Sequence, residues 1–234
     1  MSGILQMFVA AGAVALQPSV TVITSASAGS VTAPAGYTKV TVEALGGGGN
    51  GFGNAVTSNR AGGGGGLFAI SNANIAVTGG STLVYYSVGA AVTQSWVNVG
   101  TNAAPSASTT GCLAKNGGSA TSGPRVFTPP FQATAVAGLG TTAGSIGATT
   151  RNGGDGASGN NSLGGGGAGA STAGSTSTAG TDTTGLSPST LMGGGTGGLS
   201  LTAGTEPSGG GGSHTSLGTN PAGAIGRVRI VFYA

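Results

Sequence analysis

The sequence has very few of the side chains on which most enzymes, metal sites and nucleic-acid-binding surfaces depend. Of its 234 residues, 5% are charged and 5% aromatic, and there is one cysteine and one histidine. The single cysteine, Cys112, excludes an intramolecular disulfide and a cysteine-rich metal site. We interpret it as a small buried hydrophobic residue or as one without a specific role. The seven cations form no basic run, so the net charge of +3 does not indicate a nucleic-acid partner.

Catalytic groups are equally scarce. The acidic residues are Glu43, Asp155, Asp182 and Glu206. A Ser/His/Asp set can be written with His214, but the many serines make that match uninformative, and no Gly-x-Ser-x-Gly sequence lies at a strand-to-helix turn. No glycine run continues into Lys-Ser or Lys-Thr, which excludes a Walker-type phosphate loop. We therefore expect no catalysis and no cofactor.

One short stretch has the composition of a calcium loop. It contains the oxygen-bearing residues Asn152, Asp155, Asn160 and Asn161 among glycines. Asn, Asp and Gly also dominate ordinary turns for backbone reasons. We interpret the stretch as a turn-rich loop and expect no metal.

Glycine is what the sequence has in excess, with 52 residues in runs that have no strict Gly-X-Y period. The runs are either flexible linkers or extended helices of three residues per turn, which bond to their neighbours and not within themselves. We favour packed helices, because the pieces between the runs are too short and too poor in large apolar residues to be domains. The scaffold glycines predicted on this basis are Gly46, Gly47, Gly48, Gly49, Gly62, Gly63, Gly64, Gly65, Gly66, Gly164, Gly165, Gly166 and Gly167.

Strand signals lie on both sides of a long polar middle. Apolar alternation predicts strands at residues 17–24, 37–45, 67–77, 81–88, 96–99 and 226–233. The Thr78-Gly79-Gly80 turn predicts a hairpin between 67–77 and 81–88. Residues 25–36 are small and polar and end in a turn, and residues 101–220 have no helical period. We predict an all-β fold, with strands at both ends around polyglycine-II-like layers and long loops, and little helix.

The strands that begin and end such a chain, on either side of its glycine-rich middle, are expected to pair. In that arrangement Glu43 opposes Arg229 or Arg227. We expect an exposed pair of this kind to contribute about 0–1 kcal/mol.

Residues 1–16 are the most continuous apolar stretch. No basic residue precedes them, unlike in a secretory signal, and they are short for a membrane span, which needs about 20 apolar residues. They are either a core element or a segment that packs against a partner. We divide the chain into an N-terminal assembly segment, 1–29, and a glycine-rich β domain, 30–234. The side chains predicted to mediate assembly, as a homotrimer, are Ile4, Leu5, Met7, Phe8, Val9 and Leu16.

Several blocks together resemble a known family. Residues 31–49 read Val-Thr-Ala-Pro-Ala-Gly, a strand, and then four glycines, and residues 221–230 close with Gly-Arg-Val-Arg-Ile. Between them, Gly62 to Ala69 lead to Thr78-Gly79-Gly80, and Asn-Gly-Gly-Ser follows at 116–119. This ordered set, over about residues 30–234, resembles glycine-rich domains of bacteriophage tail and virion proteins. Similar tail-fibre tips fold as glycine-helix sandwiches and present variable loops to the host.

The resemblance implies a virion location and two hypotheses. The first is a host-binding (adhesin) module at a fibre or spike tip, with other virion proteins and a bacterial surface receptor as partners. The alternative is a capsid decoration or minor capsid protein anchored through its N-terminal segment. Aromatic loop residues favour adhesion, and Trp96, Phe127 and Phe131 are the candidates, although core positions explain them equally well.

Overall fold

The computed structural model describes residues 16–54, 59–125, 133–136, 144–156, 158–160, 203–211 and 220–234. Regular structure in these residues consists of β-strands alone, which confirms the predicted all-β class. These residues form no helix of the length and apolarity that crossing a membrane requires.

Fifteen strands are formed by the described residues. In chain order they are β1 (Ser19–Ile23), β2 (Ser27–Thr32), β3 (Lys39–Leu45), β4 (Phe52–Asn54), β5 (Asn59–Ala61), β6 (Phe68–Ile70), β7 (Ile75–Ala76), β8 (Leu83–Val88), β9 (Ser95–Val99), β10 (Gly111–Ala114), β11 (Thr121–Arg125), β12 (Ala133–Val136), β13 (Thr149–Arg151), β14 (Ser158–Asn160) and β15 (Arg227–Tyr233).

Two antiparallel sheets pack face to face as a sandwich. The six-stranded sheet has the order β1-β15-β3-β6-β13, with β7 also paired to β3, and the four-stranded sheet has the order β10-β9-β8-β2. Because successive side chains of a strand point to opposite faces, every second side chain of β3 and β15 faces the four-stranded sheet. The buried core between the sheets includes Val40, Val42, Val84, Val97, Cys112, Val228, Ile230 and Phe232.

Strand β15 joins the two ends of the chain. It pairs with β1 on one side and β3 on the other, as the sequence predicted. Its residues Val228, Ile230 and Phe232 are fully buried on one face. Strand β1 lies within the segment 1–29 that we separated from the β domain, and it is nevertheless an edge strand of the same sheet.

The predicted hairpin around Gly79-Gly80 is wrong. Strand β7 pairs with β3 in the six-stranded sheet, whereas β8 lies between β2 and β9 in the four-stranded sheet. The amides of Ser81 and Thr82 both donate to the Thr78 carbonyl, at 3.1 and 2.9 Å, and Gly80 has a positive φ of 80°. This tight turn therefore carries the chain from one sheet to the other, which a local turn signal cannot distinguish from a hairpin.

Strand β2 was not predicted, because its residues are small and polar. It pairs with β8 over its full length, and the ring of Tyr86 lies against Gly29 across the pair. The ring covers the position that a side chain at Gly29 would occupy. A large cross-strand neighbour thus supplies the packing that the β2 sequence lacks.

The remaining strands form a distal group beyond the sandwich. Strands β4, β5 and β14 make a three-stranded sheet, β11 pairs with β12, and β12 contacts both β5 and β14. Glycine-rich segments connect the sandwich to this group: residues 46–51 join β3 to β4, 62–67 join β5 to β6, 115–120 join β10 to β11, and 152–156 lead from β13 toward β14. The described chain therefore has three tiers, namely sandwich, glycine segments and distal strands.

Candidate functional site: a glycine lattice between two groups of strands

The glycine segments bond to their neighbours with a period of three residues. Successive amides of residues 46–49 donate first to segment 62–67, then to Thr93, then to segment 221–226, and then to 62–67 again, at 2.8–2.9 Å. A chain with three residues per turn and no internal hydrogen bonds presents its amides to three directions in this way.

Segment 62–67 repeats the pattern at the centre of the lattice. Its amides from residue 63 to 67 donate in turn to segments 203–211, 115–120 and 152–156, and then again to 203–211 and 115–120, at 2.8–3.0 Å. This cyclic order of acceptors is that of polyglycine-II-type helices packed side by side. The packed-helix prediction is therefore confirmed for the described runs, and the linker alternative is wrong for them. We call these segments, with 89–94 and 221–226, the glycine lattice.

The lattice leaves no room for side chains at many of its glycines. A Cβ atom added to Gly46, Gly48, Gly49, Gly63 or Gly66 would come closer than 3.0 Å to a backbone carbonyl of a neighbouring segment. The predicted scaffold runs 46–49 and 62–66 therefore lie where backbones approach most closely. The run 164–167 lies outside the described residues.

Polar side chains border the lattice on its distal side. The Asn50 side-chain Oδ1 accepts from the Gly223 amide, and the Asn50 amide donates to the Ser119 hydroxyl, both at 3.1 Å. The Asn220 Oδ1 accepts from the amide of Gly53 in β4, also at 3.1 Å. These side chains take the place of backbone carbonyls where the distal strands begin. Sequence reasoning did not identify them, because an Asn beside glycines is an ordinary turn signal.

A row of charged residues crosses the outer face of the six-stranded sheet. Arg229 pairs with Glu43 in register, and its Nη1 lies 3.0 Å from the Glu43 Oε1, which confirms the predicted pairing. The pair is not exposed as expected, because Glu43 is 6% exposed. In the next row, Arg227 and Arg151 flank the buried Leu45 and Phe68. Their Nε atoms are buried, and neither has a hydrogen-bond partner among the described residues.

Burial raises the pKa of two groups, the Glu43 carboxyl and the Cys112 thiol. Burial raises the pKa of the Glu43 carboxyl above its ordinary value of 4.5, and the charge and hydrogen bond of Arg229 lower it by less. Burial first, and the Glu43 charge second, raise the pKa of the Cys112 thiol. Cys112 is fully buried, which confirms its interpretation as a small core residue.

The residues considered for catalysis or metal binding lie partly outside the described ranges. Asp182, His214 and Asn161 lie outside the described residues, as do Phe127 and Phe131. Asn152 and Asp155 lie in lattice segment 152–156, and Glu206 is exposed in segment 203–211. Among the described residues, no group of three or more His, Cys, Asp or Glu side chains is placed to hold a metal ion.

The predicted assembly residues Ile4, Leu5, Met7, Phe8 and Val9 also lie outside the described residues. The sixth, Leu16, is 49% exposed, and the nearby Val20 and Val22 of β1 are 51% and 47% exposed. We call these three side chains the β1 apolar patch. These exposed apolar side chains follow residues 1–15 in the sequence.

The described residues define the class of protein: an antiparallel β-sandwich whose strands continue into a lattice of polyglycine-type helices that supports further strands. The chain belongs to the glycine-rich domain family, whose model matches residues 23–233. No curated protein matches the sequence.

Proposed function

We propose that the protein is a structural component of a bacteriophage virion and acts as a fibre- or spike-type host-binding module without catalysis. The observation that supports this best is the three-tier arrangement. Four glycine segments connect the sandwich with the distal strands, so that the distal tier is held at one end of a hydrogen-bonded backbone lattice.

A lattice of this kind suits recognition for an energetic reason. Binding surfaces on rigid supports lose less conformational entropy when they engage a partner. Segment 62–67 alone bonds to four neighbouring segments, and these hydrogen bonds hold the backbone that joins β5 to β6 on several sides. The connections of the distal tier can then vary in sequence without changing the support, which is what a host-binding module requires.

The capsid alternative has its own supporting observation, the β1 apolar patch. Exposed apolar surface beside an apolar segment is typical of a docking site on another protein. In this version of the proposal the sandwich end attaches to a shell of other virion proteins, and the distal tier faces outward as decoration.

Labelling of intact particles separates the two versions. Antibodies against the chain, viewed by electron microscopy, should mark fibre or spike ends, and the purified protein should compete with the phage for adsorption to its host cells. The matched control is a Gly66→Val variant, which should lose competition because its lattice cannot form. Label spread over the capsid would favour decoration, and particles that lack the chain would overturn both versions.

A further inference from the structure

A groove lies on the outer face of the four-stranded sheet, on the side away from the core. It has a volume of about 240 Å³ and is lined by Ala28, Gly29, Ser30, Tyr85 and Asn102. Water occupies about 30 Å³ per molecule in the liquid, so the groove has room for a ligand equivalent to about eight waters. That is the size of one small ring with its substituents.

Strand register explains why these side chains are together. Ser30, Tyr85 and Asn98 are successive cross-strand partners on β2, β8 and β9, and residues directly opposite in neighbouring strands share a face. Asn98 is 5% exposed, and its Nδ2 donates to the Ala103 carbonyl at 2.8 Å. This hydrogen bond fastens the loop after β9 to the sheet, next to Asn102. Asn98 is therefore a positioning residue for the wall of the groove.

The lining has a distinctive chemistry. None of its side chains is charged, and it combines an aromatic ring with a hydroxyl and a primary amide. Ser30 and Asn102 are exposed, Tyr85 is half-buried, and within the described residues the Tyr85 hydroxyl makes no hydrogen bond. An aromatic face offers apolar contact and a polar edge together. The uncharged lining disfavours phosphates and carboxylates, which need cationic or multiple amide donors.

We propose that this groove binds one neutral sugar unit, a hexose or an N-acetylhexosamine, of a larger glycan. The C–H face of the sugar stacks on the Tyr85 ring, and its hydroxyls bond to Asn102 and Ser30. The site lies on the sandwich and not on the distal tier, so it extends beyond the proposed function. It does not depend on whether the protein belongs to a virion.

The test is an NMR titration of the ¹⁵N-labelled full-length protein with neutral monosaccharides at tens of millimolar. A ligand of about a dozen non-hydrogen atoms is expected to bind with a millimolar Kd. Amide shifts should cluster at residues 28–30, 85 and 102. Tyr85→Ala should weaken binding at least tenfold and Asn102→Ala severalfold, because the first removes the stacking surface and the second one hydrogen-bonding group.

The matched control is Val20→Ala, which trims an exposed apolar side chain on the other sheet and should leave the Kd unchanged. Asn102 lies in an exposed loop, so the Asn102→Ala variant still tests the proposed site if the Tyr85→Ala variant does not fold. Three results would overturn the proposal: no shifts with any neutral sugar, shifts that map elsewhere, or binding that survives both substitutions. Equal affinity for a uronic acid would refute the choice of neutral sugars.

Discussion

The Glu43 carboxylate is subject to two opposing influences. It is nearly buried on the six-stranded sheet, which disfavours its charged form, while Arg229 favours that form. One of its oxygens, Oε2, is buried and finds no hydrogen-bond donor in the described part of the chain. Because burial is the larger influence, the ionised carboxylate is less favourable in the folded chain than in the unfolded one.

This imbalance predicts a particular dependence of stability on pH. The folded-state pKa of Glu43 lies above 4.5, so the folded chain holds this proton more tightly than the unfolded chain. The corresponding stability is present in acid and is lost as the pH rises through the folded-state pKa. We expect Glu43→Gln to remove this loss, because an amide does not titrate. Urea unfolding of both proteins from acid to neutral pH measures it.

The exposed Glu206 provides the control for that experiment. Glu206→Gln changes the net charge by the same amount at a side chain outside the sheet, and it should leave the pH profile of the free energy of unfolding as it is. If wild type and Glu43→Gln give parallel profiles, the assignment of the titration to Glu43 is wrong.

Among the elements, the glycine segments differ most from ordinary secondary structure. A strand exchanges its hydrogen bonds with two neighbours in one plane, whereas segment 62–67 bonds to four neighbours around its axis. Such crowding is possible only where no side chain intervenes. The lattice therefore replaces a hydrophobic core by backbone packing in the middle tier.

Substitutions within this tier should be severe even when they are small. In Gly63→Ala the new methyl group meets the carbonyl oxygens of Gly49 and Asn50, so a neighbouring segment must shift. We expect a loss in the free energy of unfolding at or beyond the upper end of the about 1–3 kcal/mol typical of overpacking. Chemical denaturation followed by tryptophan fluorescence of Trp96 measures this loss.

Gly80→Ala is the matched glycine control. No atom of the described residues lies within 4 Å of a Cβ placed at Gly80, so the cost there comes from the left-handed φ of 80°. That cost is about 1–2 kcal/mol. Equal losses for the two variants would contradict the role of close backbone packing.

The sequence was informative where side chains determine the structure. Alternation along Lys39–Leu45 and Arg227–Tyr233 predicted β3, β15 and their pairing. The glycine runs, with only short pieces between them, predicted that these runs pack as helices. The sequence did not predict which run neighbours which, because a glycine carries no side chain that could select a partner. Asn50 and Asn220 do make selective contacts, since their side chains accept from the amides of Gly223 and Gly53. Both partners are glycines far away in the sequence, so no local pattern indicates these contacts.

At the scale of the whole molecule, exposed apolar side chains lie next to the apolar N-terminal segment in the sequence. Leu16, just before β1, and Val20 and Val22 of β1 expose apolar area, and the apolar residues 1–15 precede them in the sequence. Burial of apolar area contributes about 25 cal/mol per Å². Symmetric self-association would cover this surface, since a homo-oligomer provides the same patch on every subunit.

We therefore predict a homo-oligomer, specifically a trimer, that assembles through residues 1–16. Deletion of residues 2–16 should yield a soluble, folded protein of lower mass that does not assemble, as measured by multi-angle light scattering. The full-length Val92→Ser variant should remain assembled, because Val92 is an exposed apolar residue outside this patch. A monodisperse full-length monomer would refute the prediction.

The alternating acceptors of segment 62–67 also determine how the protein responds to mechanical force. When a distal strand is pulled away from the sandwich, hydrogen bonds to several segments are strained at the same time, and no single ladder can open bond by bond. The middle tier should therefore yield abruptly and at high force. Single-molecule stretching between a distal strand and β15 measures this response. A gradual extension would mean that the segments slide independently, and it would contradict the prediction. The middle tier would then transmit a force applied at one end of the molecule to the other end with little elongation.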